Sequence, residues 1–202
     1  MVLLSAIALG LIIGFATGGS LAKAAGMRIG LLPVLLAALL VQVAIFTPIA
    51  GRWEITHSIG PYAHIATLLA VLFVMLRNLH IPGMKIIVVG AALNALVITA
   101  NGGFMPSPES ALERAGRLDR VRQEQARQQG ESPVLSNSEI ADDDTRLLFL
   151  GDVIAIPDRL PLANVISIGD IVIAAGAVIA ITRSMHRKQD APAETQAPGV
   201  AA

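Results

Sequence analysis

A chain of 202 residues, 54% hydrophobic and 15% charged, carries too few polar groups to cover its apolar surface in water, where folded domains average about a quarter charged residues. An integral membrane protein is the first expectation. A formal net charge of zero and an aromatic content of 3% provide no basic, stacking surface, so no nucleic-acid partner is expected; the absence of cysteine excludes disulfides, thiolate nucleophiles and cysteine metal sites together.

Val2 to Thr17 (VLLSAIALGLIIGFAT) is apolar and uncharged, with Lys23 and Arg28 after it. A secretory signal carries its positive charge ahead of the apolar core. The segment therefore reads as a first span with its N-terminus outside, with cleavage near Ala22 to Ala25 as the rival. Ile29 to Ala50 is the second span, long enough at about 1.5 Å per residue to cross a core of roughly 30 Å. Pro33 lies in its first turns and Pro48 near its end, where a missing N–H costs little. Gln42 reads as an interhelical contact. In the linker, Trp53 and then Tyr62 suit the headgroup zone. His57 and His64 have no carboxylate pattern nearby and read as interface residues, so no metal is expected.

Ile59 to Leu76 is the third span, closed by Arg77, Asn78, His80 and the turn Pro82-Gly83. Met84 to Ala100 is the fourth; its Gly90, Ala91 and Ala95 permit close helix packing. Asn94 and Asn101 stand two turns apart on one face. They read either as helix-to-helix glue or as a polar rail toward a site. The span ends in Asn101-Gly102-Gly103-Phe104-Met105-Pro106, whose glycines tolerate positive φ. That turn either presents bare N–H groups to a ligand or simply stops the helix.

Ser107 to Asp144 is polar, charged and glutamine-rich. Ser107-Pro108-Glu109 is a helix start, and Glu113–Arg117 and Arg120–Glu124 are four-apart pairs on a helix running to Gln129. Its stripe of Leu112, Ala115, Leu118 and Val121 is narrow, which predicts a solvated helix. Ser136-x-x-Glu139 predicts a capping box opening a second short helix. Asp142-Asp143-Asp144 lacks the spacing of a calcium loop and reads as a solvated face. Leu147 to Ile156 is apolar but too short to span, so it is placed at the interface, carrying Asp152. Asn164 to Thr182 is the fifth span and has Asp170 inside it. An acid in a span is costly and is a functional-site hypothesis by default. The tail from Asp190 to Ala202 is read as disordered.

The expected fold is all-α, a five-span helical membrane bundle with a long polar extracytoplasmic loop containing short helices. Residues 1–106 hold spans one to four, 107–161 the loop, 162–184 span five and 185–202 a cytoplasmic tail. Lys23 and Arg28, then Arg77 and Lys85, then Arg183, Arg187 and Lys188 cluster at one set of span ends. By the positive-inside rule that side is cytoplasmic, the N-terminus lies outside and the C-terminus inside a bacterial plasma membrane. Asn101, Asp152, Asp158 and Asp170 then gather at the outer face.

The stretches NALVITANGGFMP, LGDVIAIP and SIGDIVIAAG resemble an uncharacterised family of small bacterial membrane proteins, a domain of unknown function with an Asn-Gly-Gly-x-Met-Pro turn and a late Ser-x-Gly-Asp helix. The resemblance covers most of the chain apart from Glu109 to Gln129 and the tail, and implies no known activity. A fainter likeness is to lipoprotein signal peptidase, an intramembrane aspartyl peptidase. Asp158-Arg159 answers part of its first motif, with Ala155 where that family has asparagine; Asn164 opens the last span, Ser167 stands where the second aspartate belongs, and the acid comes at Asp170.

Two classes of function follow. In one, Asp152 or Asp158 pairs with Asp170 as a proton-sharing hydrolytic dyad, Asp152 and Asp170 being the catalytic candidates. In the other, no reaction is catalysed: Asn94, Asn101, Gly102, Gly103, Asp158, Arg159 and Ser167 form a polar cluster that holds the loop on the bundle or binds a membrane-protein partner. Within it, Arg159 neutralises an acid and Ser167 with Asp170 satisfies helix-start N–H groups. A small transporter using Asp170 is a third reading, with no evident internal repeat to support it. No cofactor is expected, and the bilayer is the one assured partner.

Overall fold

The computed structural model describes residues 2–26, 28–47, 55–128 and 138–187. Pro48, Trp53, Ser136 and the tail from Asp190 lie outside the described residues, as does the side chain of His57. Most of the rest is helical. The helices are α1 (Val2–Ala16), α2 (Leu21–Ala25), α3 (Leu32–Ile45), α4 (Ile55–Arg77), α5 (Met84–Ala100), α6 (Glu109–Arg114), α7 (Leu118–Gln128) and α8 (Ile168–Ser184). Four short strands lie between them: β1 (Met105–Ser107), β2 (Ser138–Ile140), β3 (Ile154–Ile156) and β4 (Asn164–Ile166).

Among the described residues one helix, α4, is long and apolar enough to cross a membrane, while α1, α3 and α5 are apolar but shorter. α5 has the limits its sequence predicts. α3 is shorter than expected, 14 residues instead of Ile29 to Ala50, with Pro33 in its first turn. Gln42 donates from Nε2 to Thr67 Oγ1 at 3.2 Å and so joins α3 to α4.

Glycine decides how closely the helices approach. Gly83 and Gly90, two turns apart at and within α5, face Gly176 and Gly169 of α8. A Cβ on Gly90 would lie 2.5 Å from the Gly169 carbonyl, and one on Gly176 would lie 3.0 Å from the Gly83 carbonyl. The pairing crosses in order, so α5 and α8 run antiparallel. On its other side α8 packs against α1, where Gly10 meets Val178 and Ile181 and Gly14 meets Met185; α1 and α8 run parallel. Asn78 closes the far end of α4. It accepts from Gly30 N–H at 2.7 Å and donates to the Gly30 carbonyl at 3.0 Å, gripping one backbone unit with both amide atoms.

Residues 101–128 and 138–166 form a cap over one end of the helices, and here the all-α expectation is corrected. β1 pairs in parallel with β2, Met105 opposite Ser138. β3 pairs antiparallel with β4, Ile154 opposite Ile166. The strand at Ser138–Ile140 replaces the helix expected after Ser136. The single long helix of the sequence reading is two, because Gly116 (φ 63°) ends α6 in a left-handed turn. Arg117 N–H returns to the Leu112 carbonyl at 2.8 Å and Gly116 N–H to Glu113 at 2.9 Å, a Schellman closure. Ser107 does not cap α6: it lies in β1, and the extended Pro108 takes the N-cap position. Of the two expected pairs, Arg120–Glu124 forms at 3.0 Å. Arg117 turns instead to Asn164, and Arg122 pairs with Glu109.

The narrow stripe is not solvated. Ala111, Leu112, Ala115, Val121 and Val165 make the buried core of the cap, with Leu118, Ile140 and Ala155 against it. A second core of Val97, Ile98, Met105 and Leu150 sits where the cap meets α5. Leu147 to Ile156 supplies that anchor through a 3-10 turn at Leu148–Leu150 and then enters β3.

Candidate functional site

The NGG turn is the hinge between bundle and cap. Gly103 N–H donates to the Ile98 carbonyl at 2.8 Å and Gly102 N–H to Thr99 at 3.3 Å. Both glycines hold positive φ, 68° and 105°. Their N–H groups are consumed by the helix stop rather than offered to an anion. The buried His64 donates from Nδ1 to the Gly103 carbonyl at 2.8 Å, and Asn101 grips the backbone of Arg146, donating to its carbonyl at 2.9 Å and accepting its N–H at 2.9 Å. Asn101, Gly102 and Gly103 therefore fasten the cap.

Asn94 works one helix over. The fifth helix does not open at Asn164, which is held in β4, but at Ser167, whose hydroxyl accepts the Asp170 N–H at 2.9 Å. Asp170 is thus the third residue of α8 instead of lying six residues beyond a start at Asn164, and its Oδ2 accepts the Ser167 N–H at 3.2 Å, completing a capping box. Asn94 locks this box to α5: Nδ2 donates to Asp170 Oδ1 at 2.8 Å, and Oδ1 accepts from Ser167 Oγ at 2.9 Å. Gly169 makes the approach feasible, because a Cβ there would collide with the Asn94 side chain.

Beside this network lies a cavity of about 590 Å³ whose wall includes Arg117, Arg120, Glu124, Asp152, Asn164 and Asp170. Its position follows from the cap: Gly151 packs against Pro106 so closely that a side chain has no room, and Asp152 N–H donates to the Pro106 carbonyl at 2.9 Å. That bond fixes the backbone beneath the Asp152 carboxyl, which has no hydrogen-bond partner among the described residues. Burial pushes its pKa up to about 7, the negative charge of Asp170 adds to the shift, and Arg117 opposes it. Arg117 Nη1 is itself oriented by Asn164 Oδ1 at 2.7 Å.

Asp152, Asp170, Ser167 and Asn94 are therefore brought together, and Asn101 with its glycines lies at the neighbouring hinge. Asp158 and Arg159 are not part of the cavity wall. They are exposed in the turn after β3, where Asp158 N–H meets the Arg114 carbonyl at 3.3 Å. The cation whose field reaches Asp152 is Arg117, not Arg159. In the sequence Arg117 belongs to a helix face; the signal for its inward position is Gly116, which ends one helix and aims the next residue at the cavity. Asp142 turns on itself, its Oδ1 accepting from Asp144 N–H at 3.1 Å and Thr145 Oγ1 at 2.9 Å, and among the described residues no group of three or more histidines or acids is arranged to hold a metal.

Residues 26–182 match the model of a family of unknown function, DUF5317. The chain belongs to that family. The match brackets the segment from Glu109 to Gln129 and leaves out α1. No curated protein and no solved structure matches the chain.

Proposed function

We propose that this DUF5317 protein is a five-span plasma-membrane protein that uses its outer cap to bind a ligand in the polar chamber between cap and α8. The observation that carries the binding reading is the distribution of hydrogen bonds. The Asn94–Ser167–Asp170 and Asn101–Arg146 groups are occupied in holding the structure, while Asp152 faces the chamber with its carboxyl unpartnered among the described residues. The membrane reading rests on apolar side chains turned outward along the helices, such as Leu4 on α1, Leu40 on α3 and Phe73 on α4, exposed by 63%, 70% and 55%. Surfaces of that kind are stable against lipid and not against water. α1, α3, α5 and α8, at 14 to 17 residues, suit a locally thinned bilayer.

Lys23, Arg77, Lys85 and Arg183 lie at the end away from the cap, which makes that end cytoplasmic under the positive-inside rule. Because the chain has no cysteine, single-cysteine variants test this directly. With intact cells, Ser110→Cys in the cap should react with a membrane-impermeant maleimide and Arg187→Cys should react only after permeabilisation; the reverse pattern rejects the orientation.

A hydrolase resembling lipoprotein signal peptidase is the second reading, favoured by one fact: two acids of unlike environment line one cavity, as a general acid and a general base require. It expects cleavage of a lipoprotein precursor by the purified protein, abolished in both Asp152→Asn and Asp170→Asn. Binding without cleavage returns the site to the first reading. Proton transport through Asp170 has less support, since both carboxyl oxygens are engaged.

A further inference from the structure

The chamber has a neighbour. A smaller slot of about 160 Å³ is walled by Val2 and Leu3 of α1, Ile173 of α8, and the same Asn164 and Asp170 that wall the chamber. One side of these two residues is therefore charged and the other is apolar. The apolar side opens along the α1–α8 seam, where Leu3 is 51% exposed. Leu162, on the chamber wall, holds φ 69° and leaves its apolar side chain 47% exposed, giving the mouth a greasy lip. A residue of that type in the left-handed region is rare and costs energy, and such strain is found at binding sites.

We propose that chamber and slot together bind one zwitterionic phospholipid, its ammonium against the Asp152 carboxyl in the field of Asp170, its phosphate against Arg117, and an acyl chain leaving through the slot between α1 and α8. This rests on the membrane reading above and names the ligand of the same chamber. The charges determine the choice. Arg120 and Glu124 pair with each other, which leaves two acids and one arginine to be answered. Arg117 spends one N–H on Asn164 and keeps the remainder of its planar fork for phosphate oxygens. A buried carboxylate without a hydrogen bond is costly, and an ammonium supplies the missing donors. An anionic lipid would meet two carboxylates with one arginine and be repelled. A free headgroup would fill the chamber but forgo the burial of its chain against Val2, Leu3 and Ile173, which is where affinity accumulates with apolar area.

The test uses the full chain purified in detergent, offered phosphatidylethanolamine, phosphatidylglycerol or free phosphoethanolamine, with bound lipid read by native mass spectrometry. Phosphatidylethanolamine should be retained at least about tenfold better than phosphatidylglycerol. Asp152→Asn should erase that preference, and Leu3→Trp, which plugs the slot from the α1 side, should weaken retention of the lipid but not of the free headgroup. Equal retention of the two lipids, or a preference unchanged in Asp152→Asn, overturns the headgroup assignment. Free phosphoethanolamine bound as tightly as the lipid, or lipid binding indifferent to Leu3→Trp, overturns the chain path. Thermal melting of each variant identifies any failure to fold, and in that event Asp152→Ser, which also removes the carboxylate, replaces Asp152→Asn and must lose the same preference. Correct maleimide labelling with no lipid selectivity sinks this inference alone; reversed labelling removes the membrane orientation beneath it.

Discussion

Asp152 is ionised in the unfolded chain above about pH 4 but is held protonated in the folded state until about 7, because burial and Asp170 outweigh Arg117. A raised acid pKa lowers stability. The penalty is absent below the unfolded value, grows as pH rises between the two values, and is complete above the folded one. Allowing for screening by water in the open cavity, its size is about 1 to 2 kcal/mol. Asp152→Asn removes the ionising group, so the variant should melt higher than the parent at pH 8 and equal to it near pH 4. Equal melting at both values would mean that Asp152 is solvated. His186 shows the opposite sign at the far end of α8. Its ring nitrogens donate to the Thr182 carbonyl at 2.8 Å and the Thr17 carbonyl at 3.0 Å, and both bonds require the imidazolium, so its pKa is raised. The stability this adds is full below the unfolded value and is lost as pH rises through the folded one.

At the scale of elements, the α5–α8 crossing depends on backbones meeting without side chains between them. Gly169 is the tightest position: an added Cβ meets both the Asn94 amide and, at 2.8 Å, the Gly90 carbonyl. Gly169→Ala should cost roughly 1 to 3 kcal/mol by overpacking and should also release the Asn94 bridge to Ser167 and Asp170, read as a lower melting temperature and faster amide exchange at the start of α8. Gly102→Ala is the internal control for space. No atom lies within 4 Å of the added Cβ, and only the left-handed φ of 68° is strained, so its cost should stay near 1 kcal/mol. The α6–α7 break teaches a related lesson. A glycine inside an apparently continuous amphipathic run looks like a weak helix residue, but at Gly116 the positive φ turns the chain and builds the core of the cap.

At the scale of the molecule, the helices turn an apolar surface outward and the cap a charged one, with the polar chamber at the boundary. The fraction of the α4 apolar window buried inside the protein is 22%, so most of its apolar surface needs a cover that the described residues do not provide. The expected outcome is that the protein stays in the membrane pellet after an alkaline carbonate wash and enters solution only with detergent. Release by carbonate alone would show that the apolar faces are covered by another protein instead of by lipid.

The sequence by itself determined that the molecule is mostly helical and that α4 is long and apolar enough to cross a membrane. Low charge and long apolar runs favour apolar helices, and period and length alone set the limits of α5. The polar residues worth following, Asn94, Asn101, Asp152, Ser167 and Asp170, were legible for the same reason: each is a costly group in an apolar setting. Their partners were not legible, because pairing depends on distance between segments far apart in the chain. Asn94 reaches Asp170 across 76 positions and Asn101 reaches Arg146 across 45. Asp158-Arg159 looked like a motif and lies exposed outside the cavity, whereas Arg117 looked like a surface residue and faces it. The four strands carry only three residues each, too few for a period of two to register. Their pairing, the buried stripe of the cap and the chamber beneath it come from contacts that only the assembled chain can make.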